Sequence, residues 1–289
     1  METYWIALVL VSAATHPLRD LVLKGVAHPV SCYVGVSLTW VIMAAVHTLV
    51  MGHDLSLPYE VWPFVAISAL GLTIYYYGTL SALRRGNLSV YYPIIRSSPI
   101  AIVAFSWLAL DQHYSWFTLV GIALVLLGSL MIQKLPGGLL HDHRAFALAS
   151  MAMLGSAAYS LSDAHAMKLT NPAPFLFFTY TLVTPLLAGI RAWEDRHLSA
   201  PFMGVVRGWA QAPVRIEFAG IVSYLSYLFI LTAFQLGAET ATVSAVRQAS
   251  IPVSVTLAAI ILKESRFLHR IGWASLIALG ILLITLSRG

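Results

Sequence analysis

YYPIIRSSPIAIVAF, residues 91–105, and ATVSAVRQASIPVSV, residues 241–255, are two apolar runs that each carry one arginine, Arg96 or Arg247, with a proline shortly after it, Pro99 or Pro252. A charged side chain at bilayer depth costs at least ~2.5–3.5 kcal/mol on insertion scales, so it marks an ion pair, a water-filled path or a binding site. Arginine is permanently charged and presents a planar fork of donors, which suits carboxylate, phosphate or phosphonate. Proline lacks an N–H, so Pro93, Pro99 and Pro252 leave the carbonyls of Ser89, Ile95 and Gln248 without their helical partners. Such carbonyls are tolerated in a membrane where they line a cavity or meet protein donors.

The two runs are copies of one another. A shift of 151 residues aligns Tyr76 with Tyr227, Ala82-Leu83 with Ala233-Phe234, Gly86 with Gly237, Ser89 with Thr240, Arg96 with Arg247 and Gly121 with Gly272. Earlier in each half, Ser12-Ala13-Ala14 aligns with Ser156-Ala157-Ala158, and after a one-residue gap Asp20 aligns with Asp163 and Pro29 with Pro172. With 59% hydrophobic and 10% charged residues in 289, the chain is polytopic. Ten spans are expected, at 4–23, 30–51, 61–83, 88–110, 116–134, 145–167, 173–192, 216–236, 240–262 and 267–287. Five spans per half is an odd number, so the second half enters from the opposite face. The expected fold is therefore an all-α membrane protein of ten transmembrane helices arranged as two inverted five-helix repeats, 1–138 and 139–289.

Lys24, Arg84, Arg85, Lys134, Arg144, Arg191, Arg196, Arg207, Arg215, Lys263, Arg266 and Arg270 fall in loops on one side, with Lys168 and Arg288 opposite. The positive-inside rule puts the first side in the cytoplasm and both termini outside, and explains the basic residues as topology determinants and lipid contacts rather than a nucleic-acid surface. The first segment lacks a basic n-region and a small-residue cleavage site, so it is expected to be a retained helix. A lone Cys32 gives neither an internal disulfide nor a metal pair. No Walker A, HExxH or GxSxG pattern occurs, so no cofactor, metal or catalytic nucleophile is expected. His141, Asp142 and His143 sit in the polar join between the halves and are expected to be linker. The stretch between the seventh and eighth spans, rich in Trp193, Phe202, Val206, Trp209 and arginines, is expected to form an amphipathic segment in the headgroup layer.

Helical spacing puts Tyr92, Pro93, Pro99 and Ile100 on the face of Arg96, and Thr240, Ser244 and Ser250 on that of Arg247. His16 and Asp20 share a face four residues apart, and Asp163 is the repeat counterpart of Asp20; these are candidates for a counter-ion or proton site, Asp20 equally for a helix-end residue beside Arg19. Tyr76 and Tyr227 are candidates for the wall of a cavity or for helix packing. The arginines are equally suited to pair with Asp20 and Asp163 and so tie helices together. Gly121, Gly128, Gly272 and Gly280 are expected to allow close helix contact.

ALRRGNLSVYYPIIRSSP (82–99) with GIALVLLGSLMI (121–132), recurring as AFQLGAETATVSAVRQASIP (233–252) with GWASLIALGILLI (272–284), resembles the EamA-type members of the drug/metabolite transporter superfamily over almost the whole chain. Lys263-Glu264 resembles the acidic turn before the last helix of that family. Asp111-Gln112-His113 departs from it, and the membrane arginines are not a general mark of it. The resemblance implies alternating access and a small metabolite as substrate, often moved by proton coupling or exchange; short loops and the absence of a targeting sequence favour an inner (plasma) membrane of bacterial type over an organellar one.

The expected function is secondary transport, not catalysis, of a small anionic or zwitterionic metabolite through a cavity lined by the first, third, fourth, sixth, eighth and ninth spans. Arg96, Arg247, Tyr76, Tyr227, Tyr92 and Ser244 would bind substrate; His16, Asp20 or Asp163 would serve as proton or counter-ion site; lipids and protons are the other partners. Two further readings stay open from sequence: a cationic or lipid-linked substrate with structural arginines, and a membrane enzyme acting on lipid phosphates.

Overall fold

The computed structural model describes residues 4–23, 26, 29–85, 91, 94–133, 142–197, 200, 202–253 and 267–286. These residues form eleven α-helices and no strand: α1 (Tyr4–Leu23), α2 (Pro29–Val50), α3 (Trp62–Arg85), α4 (Ser98–Leu110), α5 (Trp116–Gln133), α6 (His143–Ala166), α7 (Pro172–Glu194), α8 (Met203–Ala210), α9 (Pro213–Gln235), α10 (Thr240–Val246) and α11 (Phe267–Leu286). Single 3₁₀ turns precede α3, at Tyr59–Val61, and follow α10, at Arg247–Ala249.

Five of the helical stretches are long and apolar enough to cross a membrane: Val30–Val50, Tyr59–Ala82, His143–Ala166, Pro172–Glu194 and Pro213–Gln235. Ile94–Ala109, Trp116–Met131 and Gly272–Ile284 are shorter apolar helices. The α2 surface shows what surrounds them. Leu38, Ile42, Val46 and Leu49 follow helical spacing and are each half or more exposed, whereas Val36, Trp40 and Ala44 are buried. An exposed aliphatic stripe of that length is an aggregation liability in water and a natural lipid-facing surface in a bilayer.

Helices pack in pairs: α1 along α9, α3 along α6, α2 along α7 and α5 along α11, with α4 against α10. Close approach at the α3–α6 pair needs glycine. A Cβ built on Gly155 would stand 2.7 Å from the Gly71 carbonyl oxygen, and one on Gly71 would stand 2.9 Å from that of Gly155. Gly121 and Gly280 meet in the same way between α5 and α11, and Gly128 lies against the Trp273 carbonyl. Gly272 does not share this role, since nothing lies within 4 Å of its Cβ position; its place near the start of α11 precedes the contact.

Polar contacts fix the helix ends. Arg84 Nη1 reaches Glu194 Oε1 at 3.3 Å, joining the ends of α3 and α7, and Arg191 pairs with both Glu194 (3.3 Å) and Asp195 (2.8 Å). Arg215 Nε donates to the Val22 carbonyl at 2.7 Å, tying the start of α9 to the end of α1. The amphipathic segment is α8, which packs on α2: Ser31 Oγ donates to the Gly204 carbonyl, and Trp209 Nε1 and Thr39 Oγ1 both donate to Glu217. Its Phe202, Met203 and Val206 face outward. Asp142 is an N-cap, accepting from the backbone N–H groups of Arg144 and Ala145 at the start of α6. Among the described residues no group of three His, Cys, Asp or Glu is placed to hold a metal.

Candidate functional site

The prolines mark where the arginine-bearing helices depart from regular α-geometry. Arg96 ends a short helical stretch; Ser97 N–H returns to Ile94 O and Ile100 N–H to Ser97 O, both at 3.0 Å, before α4 sets off with Pro99 in its first turn. Ile100 N–H is the donor that a regular helix would send to the Arg96 carbonyl. The carbonyl is taken instead by Gln248 Nε2 at 2.8 Å. In the second half α10 ends at Val246, and Arg247 opens a 3₁₀ turn from which Ser250 N–H returns to Arg247 O and Gln248 O. Both arginines thus sit on interrupted turns, and the interruptions touch. Arg96 Nη2 donates to Ser250 Oγ, and Ser98 Oγ lies 3.4 Å from Ser244 Oγ.

Around these breaks lies a cavity of about 50 Å³. His16, Tyr76, Arg96, Tyr227, Ser244 and Arg247 all line it, so six of the sequence-derived candidates converge on one space. Arg247 lies over the Tyr227 ring, 5.5 Å from its centroid, in cation–π geometry. The Tyr227 hydroxyl donates to Asp163 Oδ2. Asp163 is fully buried but stands behind Tyr227 rather than in the lining. The proposed tie between Asp163 and Arg247 is thus replaced by a tie from Asp163 to the tyrosine beneath that arginine.

Tyr92 and the Asp20 side chain lie outside the described residues, as do Pro93, Ser89, Gly86 and the Lys263-Glu264 turn. Tyr76 meets not an acid but Tyr180, hydroxyl to hydroxyl at 3.0 Å. Tyr180 stacks on Trp40 with ring centroids 4.2 Å apart, and Trp40 also faces Tyr224 and Tyr227 at 5.8 and 5.6 Å. The Trp40 Nε1 donates to Ser223 Oγ at 2.9 Å. α2 and α7 therefore contribute to the wall through Trp40 and Tyr180, beyond the six spans expected from sequence. Gln248, Arg19 and Tyr159 are among the other lining residues that the sequence did not single out as site residues. His165 lies elsewhere: its ring stacks on Phe64, 5.8 Å between centroids, and it binds the Leu161 carbonyl.

Residues 3–133 match the EamA-like transporter family. No curated protein matches the chain. A solved structure described only as the crystal structure of a protein is similar over 100% of both chains, with a TM-score of 0.78 at 15% identity, a likeness of fold alone. Residues 3–133 are thus similar to the EamA-type transporters of the drug/metabolite transporter superfamily, and the chain is an integral multi-pass membrane protein.

Proposed function

We propose that this chain is an EamA-type transporter that moves a small anionic metabolite by alternating access, with Arg96 and Arg247 as the paired anchors of its anionic group. The observation that carries the proposal is the convergence of two repeat-equivalent arginines, both on interrupted turns, upon one buried cavity. Tyr76, Tyr227 and Ser244 wall the site, and Tyr92 belongs with them by its helical spacing from Arg96. His16, Asp20 and Asp163 are the candidate proton or counter-ion groups; of these Asp163 is coupled to the site through the Tyr227 hydroxyl.

Ten spans in two inverted repeats, 1–138 and 139–289, account for the pairing of helices. Exchanging the halves turns the α1–α9 contact into α6–α3 and maps α2–α7, α4–α10 and α5–α11 onto themselves, and each of these contacts is present. The volume supports movement: about 50 Å³ is room for a few water molecules, so a metabolite enters only when the helices part. The basic ends of α3 and α7, with Arg84 and Arg191, would face the cytoplasm of a bacterial-type inner membrane, with both termini outside. Protons and membrane lipids are the other partners of this mechanism, and coupling to protons or to exchange completes it.

The test is uptake and counterflow in sealed vesicles beside ligand-dependent thermal stability of purified protein. A ligand at a hundredfold its Kd raises stability by about 2.7 kcal/mol. Anions should stabilise wild type and neither Arg96→Gln nor Arg247→Gln, while both variants remain folded. Normal uptake by both variants would sink the assignment.

A further inference from the structure

A second cavity, of about 430 Å³, lies apart from the arginine site, between α3, α4 and α6. That volume falls within the ~300–1,000 Å³ of ordinary ligand sites. Ile67, Phe105 and Leu154 line it and are 47, 51 and 57% exposed, so it is a groove that opens through the apolar outer surface of the bundle. In an integral membrane protein the medium on that surface is hydrocarbon. Along α6 the lining runs from Leu154 to His165, eleven positions apart. At ~1.5 Å per residue this is about 16 Å, half of a ~30 Å hydrocarbon layer. The groove has the depth of one leaflet.

Its His165 end lies at the headgroup boundary. His165 is in the last turn of α6 and its ring stacks on Phe64 in the first turn of α3, at the end of the bundle opposite Arg84 and Arg191. Tyr59, Trp62, Trp107 and Trp116 are exposed at that same end, where α3 and α5 begin and α4 finishes. Such amphipathic rings gather at a membrane interface.

Among the described residues of the lining only Ser162 and His165 carry polar side chains. The Ser162 hydroxyl donates to the Phe64 carbonyl at 2.8 Å. His165 Nδ1 is 3.0 Å from the Leu161 carbonyl. A carbonyl only accepts, so Nδ1 carries the proton and Nε2 of the neutral ring is an acceptor. No donor reaches Nε2 among the described residues. Exposed Lys168 follows in the turn whose N–H returns to the His165 carbonyl at 3.1 Å, which sets a cation just beyond the ring.

We propose that this groove is a phospholipid site: it takes one acyl chain of a lipid whose headgroup offers a hydrogen-bond donor, an ammonium or a hydroxyl, to His165 Nε2, with the phosphate beside Lys168. Phosphatidylethanolamine and phosphatidylglycerol share that chemistry. Phosphatidylcholine has the same phosphate and chains but no such donor. The site is independent of what the arginine cavity carries.

The experiment measures binding of the first lipid molecule to the purified full chain in detergent at pH 8 by native mass spectrometry, with these three lipids carrying identical chains. Wild type should bind phosphatidylethanolamine or phosphatidylglycerol at least fivefold more tightly than phosphatidylcholine, and the tighter of the two identifies the headgroup. His165→Phe keeps a ring to stack on Phe64 and removes the acceptor, so it should bring binding down to the phosphatidylcholine level. Ala158→Trp fills the groove and should weaken all three lipids at least fivefold. In wild type, the preferred lipid with a diazirine on its acyl chain should label Phe105 or the α6 stretch from Leu154 to Leu161.

Equal binding of the three lipids by wild type overturns the headgroup assignment, and an undiminished preference in His165→Phe overturns the role of His165. Label spread as heavily over the lipid-facing stripe of α2 as over the groove, or unchanged affinity in Ala158→Trp, overturns the site itself. The labelling needs no variant, so it decides the matter even where Ala158→Trp fails to fold.

Discussion

Gly155→Ala replaces one hydrogen by a methyl group at the tightest point of the α3–α6 contact, and the effect follows from what that methyl meets. The new Cβ would lie 2.7 Å from the Gly71 carbonyl oxygen and 2.9 Å from the Tyr75 backbone nitrogen. Both obstacles are main-chain atoms of a regular helix, so neither swings aside as a side chain would. Restoring an ordinary 3.4 Å from 2.7 Å requires the helices to part by about 0.7 Å there. Overpacking of this kind costs about 1–3 kcal/mol, against which alanine regains about 0.5–1 kcal/mol of helix propensity. A net loss of about 1–2 kcal/mol is therefore expected. Gly189→Ala in α7 is the internal control: nothing lies within 4 Å of its Cβ position, so only the propensity gain of up to about 1 kcal/mol remains. Reversible unfolding of both variants in one detergent, followed by tryptophan fluorescence, reads the two signs. Because Tyr75 and Tyr159 line the cavity from α3 and α6, with rings 5.8 Å apart, Gly155→Ala should also weaken ligand binding and Gly189→Ala should not. Equal stability of the two variants would refute the close-contact account of α3–α6.

Gln248→Leu removes the side-chain donor to the Arg96 carbonyl at the helix break and should lower unfolding free energy by about 0.5–1.5 kcal/mol, the net worth of one hydrogen bond. Tyr227→Phe should cost a similar ~1–3 kcal/mol by stranding the buried Asp163 carboxyl, and much less in an Asp163→Asn background, so a double-mutant cycle should be strongly non-additive. The exposed Arg84–Glu194 pair, with side chains 44% and 22% exposed, should contribute less than about 1 kcal/mol on Arg84→Ala by the same unfolding assay. The backbone N–H groups of Ala145 and Arg144 hold the Asp142 carboxyl below its ordinary range. Its folded value is the lower one, so the cap stabilises above the ordinary carboxylate range and is lost as the pH falls through the folded value. Asp142→Ala should lower the melting temperature at pH 7 and Asp142→Asn should spare it; a difference between wild type and Asp142→Asn should appear only in acid.

Five of the spans and the two breaks were legible because each has a one-dimensional cause. Hydropathy over some twenty residues fixes a span, and a missing proline N–H fixes where a ladder must open. Partnerships between helices have no such cause. Asp163 and Tyr227 are 64 residues apart and meet only because α6 and α9 converge on the same wall. Trp40 and Tyr180 read as ordinary aromatic packing in apolar helices, and nothing in the spacing of α2 or α7 says that one ring pair faces inward. Arg19 enters the sequence reading only as the neighbour of Asp20, whereas it is buried against Tyr33 and His16. Gly121 and Gly272 align between the halves yet differ in role, since a repeat conserves the position of a residue and not the distance to whatever faces it.

The two breaks form one unit. Gln248 on the second break donates to the carbonyl freed at the first, the first arginine donates to Ser250 beside the second, and Ser98 meets Ser244 between them. Each break supplies what the other lacks, an acceptor with no helical donor on one side and side-chain polar groups on the other. The consequence for motion follows from the energetics of such groups. Separating α4 from α10 exposes a carbonyl, an amide and a guanidinium together, a combination that is costly in a dry cavity and cheap once water or an anion occupies it. An anion that takes over the guanidinium of Arg96 competes with Ser250 for the same donor. On the proposed alternating-access reading, ligand entry would loosen the contact that holds the two half-breaks together.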